Sequence, residues 1–269
     1  MRDIISIKNL SFKYDKTSIF DKFNLNIKRG SVTTILGANG SGKTTLLKLI
    51  LGIYEFDGEI YIDNILLSKK TKKDIRKKIG VVFDKPENSF VSDIVIDDIV
   101  FSLENLNYSK EEIEDRINEI SKLLNIDKLL YKRVNELSGG EKQLVAIASA
   151  LSHNPEILIF DEAFSMLDLY TKEKIFEVIK DLHKKTNITI INITHSSNDC
   201  LYGDTIIVLD EGRLILKGDT KRVLEEEKMF EKLGLELPFM ASLSIKLKYY
   251  GLVDEIILDM DEMVNKLWK

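Results

Sequence analysis

The sequence predicts an α/β fold, and three observations carry the prediction. Short β-branched runs alternate with helical patterns, a glycine-rich loop joins one such run to a helix, and a charged helical stretch interrupts the alternation near its middle. At 269 residues the chain has room for one large domain or for a core with attachments. In the first third, Ile4–Ile7, Asn24–Ile27, Val32–Leu36 and Glu59–Ile62 read as β-segments, the last just after the turn residues Asp57 and Gly58. Beyond Leu36 a glycine-rich loop leads into TTLLKLILG, an apolar helix ending at Gly52. IGVVF (79–83), EILIFDE (156–162) and ITIINITH (188–195) are β-branched runs of the kind that a parallel sheet buries on both faces. Helical patterns fall between them at about 110–124, 141–152 and 171–185. That order argues for a sheet with helices on both faces.

Residues 84–140 break the alternation and read as a helical, charged insertion. After Gly212 come RLILKGD and a different tail, 220–269, with helical periodicity in VLEEEKMFEKLG and SIKLKYYG. No linker rich in Gly, Ser or Pro precedes the tail, which makes it a packed appendage rather than an independent domain. Nothing repeats internally.

Hydrophobic residues are 44% and charged residues 31% of the chain, with 3 Pro and 14 Gly, which excludes disordered, collagen-like and disulfide-rich classes. No run approaches the roughly 18 to 20 apolar residues of a membrane-spanning helix. The start has no secretory-signal pattern and Cys200 is the only cysteine, so a cytosolic chain without an internal disulfide is expected. Lys plus Arg number 39 against 44 Asp plus Glu, a net charge of −5, which argues against a dedicated nucleic-acid binder. The run Lys69, Lys70, Lys72 and Lys73 reads as solvated surface.

Gly37-Ala38-Asn39-Gly40-Ser41-Gly42-Lys43-Thr44 fits G-x-x-x-x-G-K-[ST], after a strand and opening a helix, the context the motif requires. Its glycines let the backbone approach a polyphosphate, so that N–H groups and the positive helix end face anionic oxygens. Lys43 would reach the β- and γ-phosphates, and the Thr44 hydroxyl would bind Mg²⁺. ILIFDE ends in Asp161 and Glu162 at the C-terminal end of a strand, where ligand sites form in open α/β sheets. There Asp161 can hold the metal opposite Thr44, and Glu162 can orient or deprotonate the attacking water. His195 ends the next β-run and is expected on the same edge, against the γ-phosphate. Ser138 with Gly139 and Gly140 opens a helix and makes a second anion site, although the segment with Glu141 also satisfies an ordinary capping box. One chain cannot easily use two triphosphate cradles on one nucleotide; a second subunit can.

These residues resemble an ABC-type ATPase, with a Walker A at 37–44, the signature LSGGEKQ at 137–143, a Walker B with its glutamate at 158–162, and His195. The spacings agree: 95 positions from Lys43 to Ser138, 23 on to Asp161 and 34 on to His195. The resemblance covers about 1–220. It implies a P-loop NTPase core with an N-terminal antiparallel β subdomain, a helical signature subdomain at about 85–145, and a small C-terminal helical appendage at 221–269 with a part in dimerisation. It implies ATP and Mg²⁺ as cofactors, with the nucleotide held by Gly37 to Thr44, Thr45, Asp84 and Tyr14, the last against adenine. Catalysis falls to Glu162, His195 and Lys43, and the metal to Thr44, Asp161 and Asp84. In the family two subunits dimerise head to tail, so that Ser138, Gly139, Gly140 and Glu141 close on ATP held by the partner, and Asp168 matches the D-loop.

Within the family, the short insert, KPENS after IGVVF, and the tail LGLELPFMASLSIKLKYYG…DEMVNKLW look like the ATPase of an energy-coupling factor transporter. That resemblance implies an importer of vitamins or transition-metal ions. The chain would lie on the cytoplasmic face of the cell membrane, paired with a second ATPase, identical or homologous, and docked through about 85–125 on an integral-membrane T component that binds a substrate-recognising S component. Three residues depart from the family pattern: Asp84 at the Q-loop glutamine, Phe164 where a small residue or threonine is usual, and Leu144 where an arginine is common. None removes a catalytic group, and an asymmetric pair of sites would accommodate them. The alternative, a soluble ABC clamp acting on a non-transport partner, lacks a coiled-coil insertion, a second ATPase half or a basic face to support it. A non-hydrolysing regulatory subunit fits poorly with Glu162 and His195 both present.

Overall fold

Two long β-strands begin the chain, and they set the first layer. In the computed structural model, which describes residues 2–268, these are β1 (Asp3–Tyr14) and β2 (Thr17–Lys28). With β4 (Asp57–Ile62) and β5 (Ile65–Leu66) they form an antiparallel sheet of order β2-β1-β4-β5, once β3 (Val32–Leu36) and α1 (Lys43–Ile50) have intervened in the chain.

The second sheet carries the chemistry. After α2 (Lys72–Lys77) come β6 (Ile79–Phe83), the helices α3 (Val95–Glu104), α4 (Lys110–Leu124) and α5 (Gly139–Leu151), then β7 (Ile157–Asp161), α6 (Leu169–Thr186) and β8 (Thr189–Thr194). The hairpin β9 (Thr205–Asp210) and β10 (Arg213–Asp219) completes a six-stranded sheet of order β10-β9-β3-β8-β7-β6, parallel except for β10. Every residue of β7 and β8 is buried, the burial expected of strands covered on both faces. One face packs through Ile159, Ile191 and Ile193 against α1 and the antiparallel sheet. The other packs through Leu158, Phe160 and Ile190 against the helical segment, with Ile99, Ile120 and Ile147.

Register decides where the loops fall. Leu36 pairs with Thr194, Asp161 with Ile193 and Phe83 with Asp161, so the C-terminal ends of β3, β8, β7 and β6 align along one edge. Gly37, His195, Glu162 and Asp84 each stand one residue beyond that edge. This is where open α/β sheets bind ligands.

The insertion is helical, as the charge pattern predicts. Its α4 begins at a Ser109–Glu112 capping box and ends at Asn125 in a left-handed conformation. Asp98 ties it together: its carboxylate, 4% exposed, accepts from Val91 N at 2.7 Å and Ser149 Oγ at 2.7 Å. Replacing Asp98 with Ala strands both donors and is expected to cost about 2–4 kcal/mol in urea unfolding. Asn at the same position keeps an acceptor and should cost clearly less; equal losses would contradict this role.

The tail differs from its expected form. VLEEEKMFEKLG is not one helix but two, α7 (Thr220–Leu224) and α8 (Glu227–Lys232), broken at Glu225 and Glu226. The bend folds Phe230 and Leu233 onto Leu36, Cys200 and Ile206 at the edge of the sheet. Then α9 (Phe239–Tyr249) and α10 (Met260–Leu267) share a small core of Met240, Val253, Ile257 and Met263. Among the described residues no helix is long and apolar enough to cross a membrane.

Candidate functional site

Along the aligned strand ends lies a cleft of about 430 Å³, lined by residues that include Gly40, Lys43, Thr44, Asp84, Glu162 and His195. The loop at its base keeps a tight path: Gly42 adopts φ 102 at the N-cap of α1, a conformation that side-chain-bearing residues rarely take. No acidic residue lies in the first turn of α1, so the helix end presents free N–H groups and positive potential to the cleft. Lys43, 5% exposed, donates from Nζ to the carbonyls of Gly37 at 2.7 Å and Ala38 at 3.0 Å, and lies 3.8 Å from Glu162 Oε1. Burial lowers its pKa from the ordinary lysine value, while the charges of Glu162 and Asp161 pull it back up.

Glu162 leaves β7 with φ 53, in the left-handed region, and its N–H donates to Ile193 O at 2.9 Å. A non-glycine residue in that conformation stores strain that the surrounding ladder must hold, and here it turns the carboxylate back toward the loop. His195 Nδ1 lies 2.7 Å from Glu162 Oε2. An ionised carboxylate only accepts, so Nδ1 carries the proton in that pair. His195 thus stands on the strand-end edge beside Glu162.

Asp161 is 8% exposed, and its Oδ1 is buried with no hydrogen-bond partner. Burial, reinforced by the charges of Glu162 and Asp84 and opposed by Lys43, pushes its pKa up from 3.8 to about 6. The protonated form therefore favours folding: this contribution is present below about pH 3.8 and is lost as pH rises through about 6. In metal- and nucleotide-free buffer, Asp161→Asn is expected to raise unfolding free energy by about 2–3 kcal/mol at neutral pH, with the gain shrinking toward pH 4. A gain independent of pH would contradict the burial argument.

Thr44 and Asp84 line the cleft and the orphaned Asp161 oxygen is buried next to Glu162 of its lining; together they make the hard oxygen set that suits Mg²⁺. Among the described residues no group of three or more His, Cys, Asp or Glu could hold a metal by itself. Such a site fits an ion that completes its shell from substrate phosphates and water.

The other candidate residues lie apart from this cleft. Ser138 caps α5, accepting from Glu141 N at 3.3 Å and donating to Glu141 Oε2 at 2.9 Å, so the capping box is real. Gly139 and Gly140 face Leu167 and Thr171 of the segment leading into α6, and a Cβ on Gly140 would meet Thr171 Cγ2 at 2.4 Å. Asp168 caps α6, accepting from Thr171 N at 3.0 Å and Thr171 Oγ1 at 2.7 Å. Tyr14 packs edge-on to Phe12 and Tyr54, with centroids 4.8 and 5.5 Å away, and is not in the cleft lining. Ile19 and Ser165, which the motifs do not mark, do line it. Gln143 Nε2 donates to Phe83 O at 3.4 Å, joining the signature helix to the residue before Asp84. Phe164 is a core ring against Phe160 at 4.9 Å and Phe176 at 4.6 Å, which explains its size, and Leu144 packs on the helical core.

The family model described as ABC transporter matches residues 20–165. The energy-coupling factor transporter ATP-binding protein EcfA of Pediococcus pentosaceus is 40% identical over 273 residues, covering 100% of this chain and 97% of that protein. The energy-coupling factor transporter ATP-binding protein EcfA1 of Mycoplasmopsis synoviae is 40% identical over 270 residues, covering 99% and 100%. Among solved structures, cbiO1 of Clostridium perfringens, described as part of the ABC transporter complex cbiONQ, superposes with a TM-score of 0.80 at 36% identity over 90% of this chain and 99% of its own. The ATP-binding cassette MJ0796, solved as a dimer in a post-hydrolysis state with ADP and Pi, gives 0.69 at 32% identity over 80% and 98%. With its phosphate loop, paired acids and histidine on one sheet edge, the chain belongs to the ABC transporter ATPases and, within them, to the ATP-binding components of energy-coupling factor transporters.

Proposed function

We propose that this ATPase energises an energy-coupling factor importer of vitamins or transition-metal ions from the cytoplasmic face of the cell membrane. Likeness along the whole chain, tail included, to relatives named as ATP-binding proteins of such transporters is the observation that carries this reading. ATP is held by the loop Gly37–Thr44 with Thr45 and Asp84, and Tyr14 serves the base when the aromatic group at the end of β1 closes on it. Thr44, Asp161 and Asp84 hold Mg²⁺, which neutralises phosphate charge when bound.

Lys43 stands where it neutralises charge developing on the γ-phosphoryl group, in a cleft that burial keeps poorly screened. Glu162 orients the attacking water and takes its proton, and His195 fixes the carboxylate through Nδ1. Ser138 and its glycines open an exposed helix end away from the same chain's phosphate loop, which supports their use on a partner's nucleotide. The dimeric state of the related cassette MJ0796 supports the pairing, and the pairing partner is a second copy or a homologous ATPase. A membrane T component and a substrate-binding S component complete the assembly.

Affinity purification of the tagged chain from detergent-solubilised membranes of its own cells tests the proposal. Recovery of a small polytopic membrane protein, with ATP hydrolysis by the complex, is expected. Recovery only of soluble or nucleic-acid partners would overturn it in favour of a non-transport clamp.

A further inference from the structure

A second cavity, of about 400 Å³, opens on the face of the central sheet away from the antiparallel layer, between α6 and the segment joining β8 to β9. Its floor is a row set by strand register, Thr34–Asn192–Phe160. Asn192 is 3% exposed in the middle of an all-buried strand, and neither its Oδ1 nor its Nδ2 has a hydrogen-bond partner among the described residues. A buried carboxamide with both ends unpaired is costly and rare. Its requirement is one acceptor facing one donor, side by side.

The walls are aromatic. Phe176 and Tyr202 stack with centroids 3.8 Å apart and planes 6° from parallel, and both line the cavity with Phe160. Lys180 and Lys184, exposed and one turn apart on α6, stand on the same lining. Of the acids there, Asp199 pairs with Lys172 and Asp204 accepts from Val32 N at 3.1 Å, while Glu177 shares α6 with the two lysines. We infer that this cavity binds a planar heterocycle with a ring –NH–CO– edge and an anionic substituent. The edge pairs with the Asn192 carboxamide, the ring lies against the Phe160–Phe176–Tyr202 aromatics, and the anion reaches Lys180 and Lys184.

The cavity touches both halves of the catalytic edge without sharing its residues. Asp199 holds Thr194, the residue before His195, and Phe176 continues through Phe164, two residues from Glu162. An occupant therefore bears on the Glu162–His195 pair, and that consequence rests on the function proposed above, whereas binding does not.

The test is calorimetric titration of the purified full-length chain with orotate and with uridine 5′-monophosphate, beside benzoate, a planar anion lacking the –NH–CO– edge. At least one of the first two is expected to bind once per chain, undisturbed by saturating ATP, with benzoate silent. Asn192→Leu should weaken that binding by about tenfold or more through loss of two hydrogen bonds. Should that variant fail to fold, Tyr202→Ala removes a wall and should weaken it as well. No binding by either heterocycle, equal binding of benzoate, displacement by ATP, or unchanged affinity in whichever variant folds would overturn the inference. Because the readout is binding without hydrolysis, its failure is separable from failure of the proposed function.

Discussion

Glu162→Gln is expected to cut ATP hydrolysis by about 10²–10⁴-fold while leaving nucleotide binding near the native level. The substitution keeps the size of the side chain and a hydrogen-bond partner for His195 Nδ1, now 2.7 Å from Oε2, but removes the proposed base. Lys43, proposed to hold the phosphates, is untouched, and losing the Glu162 charge 3.8 Å away leaves its ammonium freer for them. An ATP-bound dimer should therefore accumulate, visible by gel filtration in ATP, with phosphate release as the rate measurement. His195→Ala should also slow hydrolysis, by freeing the carboxylate, and the double variant should be little slower than Glu162→Gln because the two groups act as a unit. Additive losses, or loss of ATP binding with the fold intact, would contradict the assignment.

The candidate catalytic edge was legible because its logic is local. A glycine-rich loop after Leu36, two acids after ILIF and a histidine after ITIINIT each sit at the end of a β-run, and parallel pairing puts such ends together. Register adds what spacing cannot: Phe83 pairs with Asp161, which is why the departure at Asp84 bears on Asp161 rather than lying elsewhere in a loop. Phe164 looked like a deviation of the site and is a member of the core, a distinction visible only when Phe160 and Phe176 are placed around it. Tyr14 packs with Phe12 and Tyr54 and is not among the residues lining the cleft, a placement that spacing does not report. Tail helices α7 and α8 were read as one because periodicity reports a face and not a bend.

Gly212→Ala is expected to destabilise the chain by about 3–5 kcal/mol, although Gly212 lies in no catalytic motif. Arg213 pairs with Asp210, so Glu211 and Gly212 form a two-residue hairpin loop, and both have positive φ, 44 and 72, as a type I′ turn demands. A Cβ on Gly212 would lie 1.6 Å from Ile19 O, inside the backbone of β2. The Gly212 N–H also donates to Ser41 O at 3.0 Å, so the turn that must move is the one that props the phosphate loop. Ile19 lines the cleft on the same side. Displacing the turn therefore loosens the antiparallel layer and the phosphate loop together, and ATP affinity should fall along with the urea midpoint. Gly234→Ala is the control: its φ of 65 is equally left-handed but nothing lies within 4 Å of the added Cβ, so it should cost only about 1 kcal/mol. The difference between the two variants isolates the clash from the backbone preference, and equal losses would show that the hairpin does not bear on the loop as the geometry requires.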